Sequence, residues 1–547
     1  MSILSGIFLT SQDAMAAKYQ VTEITPLEDY RQHFALDIGD NGQMLGVVRD
    51  SFNFPYYLEE YLNDLTYSNV SCEVSDEELS SGVFDVASSN CIKLGLGEQA
   101  RSPFYQKIGD NKSFINNAGS AELVNLVDVF DNELNAFTKS NVEHLRAINS
   151  QGIAVGRVSA PFVPTMFLQT GDNASSEEIK IWQQEYESRA VVYINGEVRL
   201  LEPELTTHGG ESDAADISNT GYVAGQTSVS ISEANAESIA EDCTGELVPV
   251  SVCVWQKNNL SSSARIYDTR PIVWKLDDSG NVESKQVYDL AFVPTADQTA
   301  SYYALSTAVN DTGVAVGYGH VFKDNDVLSL QPLVYQNGET KTFMDEDEYA
   351  QGFAADINSS NVVIGTVQTV INGAFADEFF VYNIDSGSFT TPNTFYASAE
   401  SNANSINDSG KIVGEAEYEI TTDDLRRKHG FLYDSVTEEF FDLNDLTECG
   451  SIYEIVETKA INNSDQIAAT ALKLVDRRDA LGGVILDDDG NPEKEQVAVA
   501  VLLDPIAGEI DDCTQIENPP IERKGASTSF FLSLGLFGFA LLRRRFF

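Results

Sequence analysis

The sequence is poor in the residues and motifs that most enzymes and metal-binding proteins use. Histidine occurs only five times in 547 residues, and each histidine stands alone in the sequence. No two cysteines form a CxxC pair and no histidine lies at zinc-ligand spacing, which argues against a zinc site. A G-x-S-x-G motif, a Walker A loop and a Rossmann G-x-G-x-x-G motif are also missing, so no catalytic residue is assigned from a motif.

Basic residues are scarce as well. The chain has 34 Lys and Arg against 85 Asp and Glu, which gives a formal net charge of −51. Such a surface repels other polyanions, so we expect no nucleic-acid partner. The acidic residues are spread along the chain, as in a solvated acidic surface, and cation binding is the alternative interpretation. With 42% hydrophobic and 10% aromatic residues, the chain can build a substantial core.

The six cysteines are an even number, which is typical of disulfides in exported proteins. Their proximity in sequence predicts three pairs, although six cysteines allow 15 connectivities. The predicted pairs are Cys72–Cys91, Cys243–Cys253 and Cys449–Cys513. Disulfides would place the chain in an oxidising compartment, and the alternative is six reduced, buried thiols.

Both ends of the sequence have features of an exported protein. Residues 1–17 contain a short apolar stretch and a small-x-small pattern at 14–16, which together resemble a secretory signal peptide. No Lys or Arg precedes the apolar stretch, so the segment resembles a signal peptide shortened by a start codon assigned too far downstream. At the other end, residues 514–529 form a polar linker and residues 530–547 form a hydrophobic tail.

The tail consists of an apolar stretch, residues 530–542, followed by Arg543, Arg544 and Arg545. As a helix, the stretch would span about 20 Å at 1.5 Å per residue, less than the ~30 Å of a bilayer core. By the positive-inside rule, the arginines would stop on the cytoplasmic side and leave the body across the inner membrane. We therefore expect a short C-terminal transmembrane helix.

The tail resembles the GlyGly-CTERM sorting signals of Gram-negative bacteria, which rhomboid-type proteases process before surface anchoring. Gly525, Ala526 and Ser527 would form the processing site, with Gly525-Ala526 where the family has a Gly pair. The resemblance implies a membrane attachment, a rhomboid-type protease as partner, and a body held on the periplasmic side or released to the cell surface. A plain C-terminal membrane anchor is the alternative.

A ten-residue unit recurs seven times, with the pattern [Ala/Asp/Ser]-[Ile/Val]-Asn-x-x-Gly, two or three apolar residues and a second Gly. The Ile or Val is expected to end a strand, and the Asn, Asp and Ser side chains to tighten a turn. The first Gly is expected at positive φ, since Asn361 and Asp465 replace it where it is missing. The seven copies are residues 37–46, 147–156, 216–225, 308–317, 356–365, 405–414 and 460–469.

A second predicted hairpin follows each unit, so one period contains about four short strands. The last three intervals between units are 48, 49 and 55 residues, which suits one propeller blade. We therefore predict an all-β fold: a seven-bladed β-propeller over residues 18–513, with insertions near 51–140 and 228–265. The alternatives are an eighth, degenerate blade in the first, 110-residue interval and an array of β-sandwiches. Strand-like segments near residues 19 and 498 are expected to close the ring by sharing the last blade.

The units resemble HAF-type extracellular repeats. The resemblance rests on Tyr19-Gln20-Val21-Thr22, on the Ala-Ile-Asn-x-x-Gly cores, and on Lys428-His429-Gly430-Phe431-Leu432-Tyr433. The whole chain is similar to an uncharacterised family of secreted proteins from marine Gram-negative bacteria. The family has no established activity, so the resemblance implies a location and a repeat type but no catalytic residues.

The interpretation of function follows from these points. Calcium is the candidate metal, because residues 37–42 and 407–410 are rich in oxygen ligands, but tight turns explain the same residues without a cofactor. We expect an exported, monomeric protein with a non-enzymatic role: binding an envelope protein or glycan, adhesion, or scaffolding. An enzyme acting on polysaccharide or peptide at the axial mouth is the alternative. Clustered Asp, Glu and Tyr at one mouth would favour the enzyme, and elaborate insertions at the rim would favour the binding protein.

Overall fold

The computed structural model describes residues 18–507, apart from 25–26, 110, 118–119, 171–176, 260–264, 296–297, 299, 324–326, 372 and 421–425. The predicted signal peptide, linker and tail, with Gly525, Ala526, Ser527 and the three arginines, lie outside the described residues. Within the described ranges, no helix is long and apolar enough to pass through a bilayer.

The described residues form seven four-stranded antiparallel sheets, together with three two-stranded ribbons. In chain order the strands are β1 (Lys18–Glu23), β2 (Tyr30–Ile38), β3 (Met44–Ser51), β4 (Thr66–Tyr67), β5 (Val70–Ser71), β6 (Asn111–Asn117), β7 (Ser120–Leu123), β8 (Phe130–Asp131), β9 (Ala136–Phe137), β10 (Glu143–Ile148), β11 (Ala154–Val158), β12 (Val163–Leu168), β13 (Glu178–Gln183), β14 (Arg189–Ile194), β15 (Glu197–Leu201), β16 (Ser212–Ile217) and β17 (Tyr222–Ile231). They continue as β18 (Tyr267–Leu276), β19 (Val282–Val287), β20 (Ala304–Val309), β21 (Ala315–Phe322), β22 (Leu328–Gln336), β23 (Glu339–Thr342), β24 (Gln351–Ile357), β25 (Val362–Ile371), β26 (Ala374–Asn383), β27 (Ser388–Thr390), β28 (Ser401–Ile406), β29 (Lys411–Glu417), β30 (Lys428–Asp434), β31 (Glu439–Asp442), β32 (Glu454–Ile461), β33 (Ile467–Asp476) and β34 (Lys494–Ile506).

The seven sheets are the blades of a β-propeller, as predicted. Blade 1 is β2-β3-β6-β7, blade 2 is β10-β11-β14-β15, and blades 3 to 6 are β16–β19, β20–β23, β24–β27 and β28–β31. The first strand of each blade contacts the first strand of the next, and β32 of blade 7 contacts β2 of blade 1, so the ring is closed. The long first interval between repeats holds helices and short strands and no eighth four-stranded sheet among the described residues.

Blade 7 is closed by both ends of the described chain. Its order is β32-β33-β34-β1, so the N-terminal strand is the outermost strand of the last blade. Lys18 pairs with Ile506 and Glu23 pairs with Val501 in antiparallel register. The prediction that the two ends share the last blade is confirmed. This pairing ties the first strand to the last, which is the usual way to prevent a ring of blades from opening.

The repeat unit places its turn between the first and second strand of every blade. Gly410 in the sixth copy has φ of +86°, and Asn361 and Asp465, which replace this Gly in two other copies, have φ of +57° and +61°. The second Gly faces a β-bulge in the innermost strand, where a Cβ at Gly414 would lie 1.9 Å from the Asn402 carbonyl oxygen. The two Gly positions of the repeat are therefore explained by what the backbone requires there.

Three long insertions lie on the opposite side of the ring from the repeat turns. Each connects the second and third strands of its blade: insertion 1 is residues 52–110, insertion 2 is residues 159–188 and insertion 3 is residues 232–266. We call the three together the cap. In an antiparallel blade the connections between strands 2 and 3 leave from the end opposite the strand 1–2 turns, so we name the two sides the insertion face and the repeat face.

The cap holds the α-helices of the described chain. These are α1 (Asp76–Ser81) and α2 (Val86–Glu98) in insertion 1, and α3 (Glu233–Asp242) and α4 (Val250–Asn258) in insertion 3; single 3-10 turns occur at Glu60–Asn63 and Thr207–Gly209. Ser75 caps α1 and Asp85 caps α2 through side-chain bonds to backbone N–H groups. The cap is therefore built from different elements than the ring.

Two of the predicted disulfides lie in the cap. Cys72 is bonded to Cys91 and Cys243 is bonded to Cys253, so two of the three predicted pairs are confirmed. Each bond ties a helix to a neighbouring segment of the same insertion, where the hydrophobic clusters are small. Cys513 lies outside the described residues, so its pairing with Cys449 stays a prediction.

Candidate functional site

On the repeat face, the Asn of the repeat unit joins five of the seven blades to the next blade. The Asn407 side chain accepts a bond from Lys411 N (3.0 Å), which closes its own turn, and its Nδ2 donates to the Asn462 carbonyl of the next blade (3.1 Å). The same donation to the following blade is made by Asn149, Asn310, Asn358 and Asn462. The side-chain amides at this mouth are thus used to hold the ring together.

Three partly buried aspartates lie at the same mouth. Asp37, Asp216 and Asp356 precede the Ile of the repeat in blades 1, 3 and 5. Each accepts a bond from the backbone N–H of the following blade: Ile148 (2.6 Å), Val309 (2.8 Å) and Ile406 (2.9 Å). Burial, reinforced by the charges of other aspartates, raises the pKa of Asp37 to about 7 and that of Asp216 to about 8; burial also raises the pKa of Asp356 to about 6.

The space left at the repeat face is small. Its cavity is about 150 Å³ and is lined by the repeat units of all seven blades. Asp40 accepts bonds from the side chains of Asn219 (2.8 Å) and Asn463 (3.1 Å), so the predicted calcium ligand at this position is bound to amides across the mouth. In the part of the chain that the structure describes, no group of three or more His, Cys, Asp or Glu side chains is arranged to hold a metal ion.

The insertion face is different, because its three insertions meet at one point. Lys107 of insertion 1 lies with its Nζ 5.6 Å from the Phe162 ring of insertion 2 and 5.0 Å from the Trp255 ring of insertion 3. The two rings pack edge to face with centroids 5.4 Å apart. Burial lowers the pKa of Lys107 to about 8, and its ammonium donates to the carbonyl oxygen of Ala100 at 2.9 Å.

Backbone contacts strengthen the same joint. Trp182 N of insertion 2 donates to the Pro103 carbonyl of insertion 1 (2.7 Å), and Thr170 N donates to the Glu246 carbonyl of insertion 3 (2.8 Å). An ion pair joins Lys180 of insertion 2 to Glu59 of insertion 1. The β12–β13 hairpin of insertion 2 is therefore held between its two neighbours.

Two connected cavities lie beneath and beside this joint. The outer cavity, about 620 Å³, has an apolar wall that includes Tyr186, Val254 and Tyr267. The inner cavity, about 540 Å³, leads toward the axis and is lined by Lys107, Arg157, Phe162, Glu211, Gln226 and Arg265, among others. We call the inner cavity the throat. Gln184, Glu187, Trp255 and Asn258 line both cavities, so one ligand can touch the apolar wall and the charged throat together.

Glu187 and Glu211 are brought together by a single amide. Asn258 Nδ2 lies 2.8 Å from Glu187 Oε2 and 2.8 Å from Glu211 Oε1. Asn259 Nδ2 donates to the other Glu187 oxygen (2.9 Å), and Asn258 Oδ1 accepts the Ile266 N–H (3.1 Å), which fixes the amide. Burial and the nearby Glu187 charge raise the pKa of Glu211 to about 7. Near neutral pH Glu211 can therefore act as an O–H donor as well as an acceptor.

The backbone beside the outer cavity is strained at one residue. His208 has φ of +55° and ψ of +33°, a conformation that is uncommon for a residue with a side chain. It lies in the connection between blades 2 and 3 and lines the cavity. The Tyr267 hydroxyl donates to the His208 carbonyl oxygen (2.9 Å) and so supports the turn from below.

His429, the histidine that matches a position of the repeat, is held by contacts within its blade. His429 Nδ1 lies 2.6 Å from Asp442 Oδ2, and its ring stacks on Tyr418 with centroids 3.5 Å apart. Burial lowers its pKa, but the hydrogen bonds and charges of Asp442 and Glu454 outweigh burial and raise the pKa to about 9. His429 therefore lies in a blade and away from the residues that line the two cavities.

Sequence reasoning did not find the residues of the throat. Lys107, Glu187, Glu211 and Asn258 are far apart in the sequence and belong to no repeat, so nothing local connects them. One compositional signal existed: the chain has only three tryptophans, and two of them, Trp182 and Trp255, lie in the cap. The cysteine pairs marked two of the three insertions, but the hairpin of insertion 2 carried no such mark.

The chain matches several solved structures at very low sequence identity and low TM-score. It matches the Pyrococcus horikoshii acylaminoacyl peptidase at 9% identity with a TM-score of 0.39, covering 87% of this chain and 53% of the peptidase. It matches the β-propeller domain of the Trilobed protease from Pyrococcus furiosus at 9% identity with a TM-score of 0.30, covering 76% and 97%. It matches Porphyromonas gingivalis dipeptidyl peptidase 4 at 8% identity with a TM-score of 0.31, covering 66% of this chain and 47% of that protein.

The chain thus spans about half the length of the acylaminoacyl peptidase and of dipeptidyl peptidase 4. No curated protein matches it in sequence. One family profile matches residues 1–545, nearly the whole sequence. The chain belongs to this family, which is described as proteins of unknown function (DUF3466).

Proposed function

We propose that the protein is an exported, monomeric binding protein that holds a glycan ligand in the cleft formed by its cap. The observation that carries the proposal is the convergence of three insertions, from three different blades, on two connected cavities. Building one joint from separate insertions orders many residues at an entropic cost that the ring itself does not require. Loops arranged on a rigid scaffold in this way are the usual location of a binding site.

The chemistry of the cavities suits a sugar. Tyr186, Trp255 and Tyr267 supply aromatic surface, on which the apolar face of a pyranose ring can stack. Gln184 and the Glu187–Glu211 pair supply acceptors and donors for hydroxyl groups. The repeat face offers no comparable space, because its amides and carboxylates already bond to neighbouring blades.

A glycan array tests the proposal. The protein should bind a subset of glycans, and Trp255→Ala should lower that binding by at least about 10-fold through loss of stacking area. Phe375→Ala is the matched control, because Phe375 is an aromatic residue of blade 5 that is 64% exposed. Equal losses in the two variants, or binding that neither variant changes, would contradict the proposed site.

Export and membrane attachment belong to the same proposal. They rest on the signal-like residues 1–17, the tail at residues 530–547 and the disulfides of the cap, which need an oxidising compartment to form. Cell fractionation with intact-mass analysis checks them. We expect the protein in the envelope fraction, without its N-terminal segment and with its cysteines oxidised. A full-length, reduced protein in the cytoplasm would contradict the proposal.

One observation favours a second candidate function, a hydrolase acting on polysaccharide or peptide. Glu187 and Glu211 share a hydrogen-bond donor, and acid–base catalysis by carboxyl groups uses two neighbouring carboxyls, of which the acid has a raised pKa, as Glu211 has. Incubation of the protein with glycans that it binds, followed by mass spectrometry, separates the candidates. Cleavage that Glu211→Gln abolishes without loss of binding would establish the enzyme, and intact glycans would leave the binding protein.

A further inference from the structure

The throat contains a cluster of positive charge inside a strongly negative protein. The chain carries a formal net charge of −51, yet Arg157 and Arg265 line the throat, and Arg49 and Arg146 lie near enough to act on His144, which is paired with Arg157. Arg49, Arg146 and Arg157 act electrostatically on His144, and Arg157 and Arg265 act on Glu211. A group of like charges this close costs free energy unless something of opposite sign binds it.

The four arginines are not equally engaged. Arg146 pairs with Asp213 at 3.1 Å, Arg49 lies over the Phe34 ring, and Arg265 lies over the Tyr303 ring. Arg157 is different: within the described residues its guanidinium makes no hydrogen bond or ion pair, and its Nε is buried. A buried guanidinium Nε–H without an acceptor is uncommon in a native protein, because the unmade bond is costly.

The neighbours of Arg157 leave acceptor and donor positions open. His144 lies opposite Arg157 in the β10–β11 pair, and its buried Nε2 also has no hydrogen-bond partner. Burial and then the charges of Arg146 and Arg157 lower the pKa of His144 to about 3, so the ring is neutral and adds no positive charge. Gln226, which lines the throat beside Arg157, has a buried Oε1 without a partner.

The acidic residues of the throat do not satisfy Arg157. Both carboxylate oxygens of Glu187 accept bonds from Asn258 and Asn259 instead. Glu211 accepts from Asn258, and its protonated form can donate to an anion. Asp213, outside the throat, acts electrostatically on both Arg146 and Arg157 but forms its ion pair with Arg146 at 3.1 Å. The guanidinium of Arg157 therefore lines the cavity without a hydrogen bond to any carboxylate of the described residues.

We propose that the throat is an oxyanion site, in which Arg157 forms a charge-assisted, forked bond to a carboxylate or sulfate group of an acidic sugar. The proposal rests on the proposed function, because the sugar ring would lie in the adjoining outer cavity against Trp255 and Tyr186. A guanidinium matches the geometry of a two-oxygen anion, and its bond to such a group is stronger in a partly dry cavity than in water. The acidic surface repels free polyanions, so the site selects ligands that reach the throat end-on.

Isothermal titration of the full chain tests the oxyanion site. The probes are glucuronate, glucose and inorganic sulfate, all at one ionic strength maintained with chloride. We expect glucuronate to bind at least about 10-fold more tightly than glucose, since one charge-assisted bond is worth ~1.5–3 kcal/mol. Arg157→Gln should remove this preference. Arg477→Gln, in the connection between β33 and β34 of blade 7, is the matched control and should leave it intact.

Each outcome has a distinct meaning. Equal affinity for glucose and glucuronate, both lost in Trp255→Ala, would overturn the oxyanion site and keep the sugar-binding proposal. If sulfate binds as tightly as glucuronate, and Arg157→Gln lowers both affinities equally, the oxyanion site is supported. The claim that the anion must be part of a sugar is then wrong. If no anion binds at millimolar concentration, the oxyanion site is wrong, whereas the binding function is judged separately on the glycan array. A melting temperature of Arg157→Gln equal to that of the wild type shows that any loss is local.

Discussion

The two faces of this propeller use polar residues for opposite purposes. On the repeat face, the Asn407 side chain accepts a hydrogen bond within its own turn and donates one to the next blade. On the insertion face, Asn258 holds two glutamates at the wall of an open cavity. The first arrangement recurs around the ring with small changes, and the second occurs once. The difference indicates that recurring polar residues are part of the scaffold here, and that functional residues are found where the repeat is interrupted.

The largest effect on the free energy of unfolding is expected when a glycine of the ring is replaced and the result is compared with the same replacement in the cap. Gly414→Val places a side chain against the Asn402 carbonyl oxygen, where even a Cβ would be 1.9 Å away, so we expect a loss of about 3 kcal/mol or more, or an insoluble product. Gly97→Val in α2 of the cap is the matched control, since no atom lies within 4 Å of its added Cβ. Urea unfolding followed by circular dichroism measures both. Similar midpoints for the two variants would contradict the close packing of the ring.

An asparagine exchange compares the same residue type on both faces. Asn407→Ala removes the bonds to Lys411 N and to the Asn462 carbonyl and leaves these buried groups unpaired, at a cost of about 2–3 kcal/mol in the free energy of unfolding. Asn258→Ala should leave the unfolding midpoint of the ring nearly unchanged and should lower ligand affinity. The urea midpoint and the array signal, measured on both variants, check the pair. The comparison fails if Asn258→Ala destabilises the ring as strongly as Asn407→Ala.

The aspartates of the repeat face give it its own pH dependence. Folding raises the pKa of Asp37 to about 7 and that of Asp216 to about 8, so the stability tied to their protonation is fully present below their ordinary pKa of 3.8 and is lost progressively as pH rises to these values. Buried histidines whose pKa is lowered, such as His144, act in the other direction only below their ordinary value of 6.5. The melting temperature should therefore fall between pH 6.5 and 8.5, and His429, whose pKa is raised to about 9, contributes to the fall in the same direction.

Asp216→Asn isolates this effect. The variant retains a side-chain oxygen that can accept the Val309 N–H, but it has no carboxyl group to titrate, so the fall in melting temperature should be smaller. Asp488→Asn, in an exposed turn, is the control and should follow the wild type. Identical slopes in all three proteins would show that the raised pKa of Asp216 does not contribute to stability.

The smallest effect on the ring is expected from the disulfide of insertion 3. Cys243→Ser with Cys253→Ser removes a bond that closes a short loop within the cap, so the main unfolding transition should shift by less than about 1 kcal/mol. Ligand affinity should fall more clearly, since α4 carries Trp255 and Asn258. Calorimetry and the glycan array measure the two effects. A large loss of ring stability without a loss of binding would reverse the assignment of roles to the two faces.

Much of the ring was predictable because its signals are local. The turn at Gly410 and the substitutes Asn361 and Asp465 depend on residues close in sequence, and so does the pairing of Cys72 with Cys91 in the cap. Closure of the ring by β1 could be inferred because each end of the repeat region has a strand-like segment, near residues 19 and 498. The bond from Asp216 to Val309 N was not predicted, since it depends on where a bulge places a backbone N–H in the next blade.

The throat could not be predicted for the opposite reason. The contact of Lys107 with Trp255 joins residues of different insertions, and its geometry depends on how the blades place both insertions over the axis. Glu211 becomes unusual only through its neighbours Glu187 and Asn258, because burial and a nearby charge change its proton affinity. Among 85 acidic residues, nothing in the sequence distinguishes this pair.

Hydrogen–deuterium exchange tests the central contrast most directly. The full chain would be compared with and without saturating glucuronate, and exchange followed in peptides from both faces. The assignment of binding to the cap predicts slower exchange in residues 159–170 and 250–259, and no change in the turn at residues 407–410. Slower exchange at the repeat turns, or no change in the cap, would contradict it.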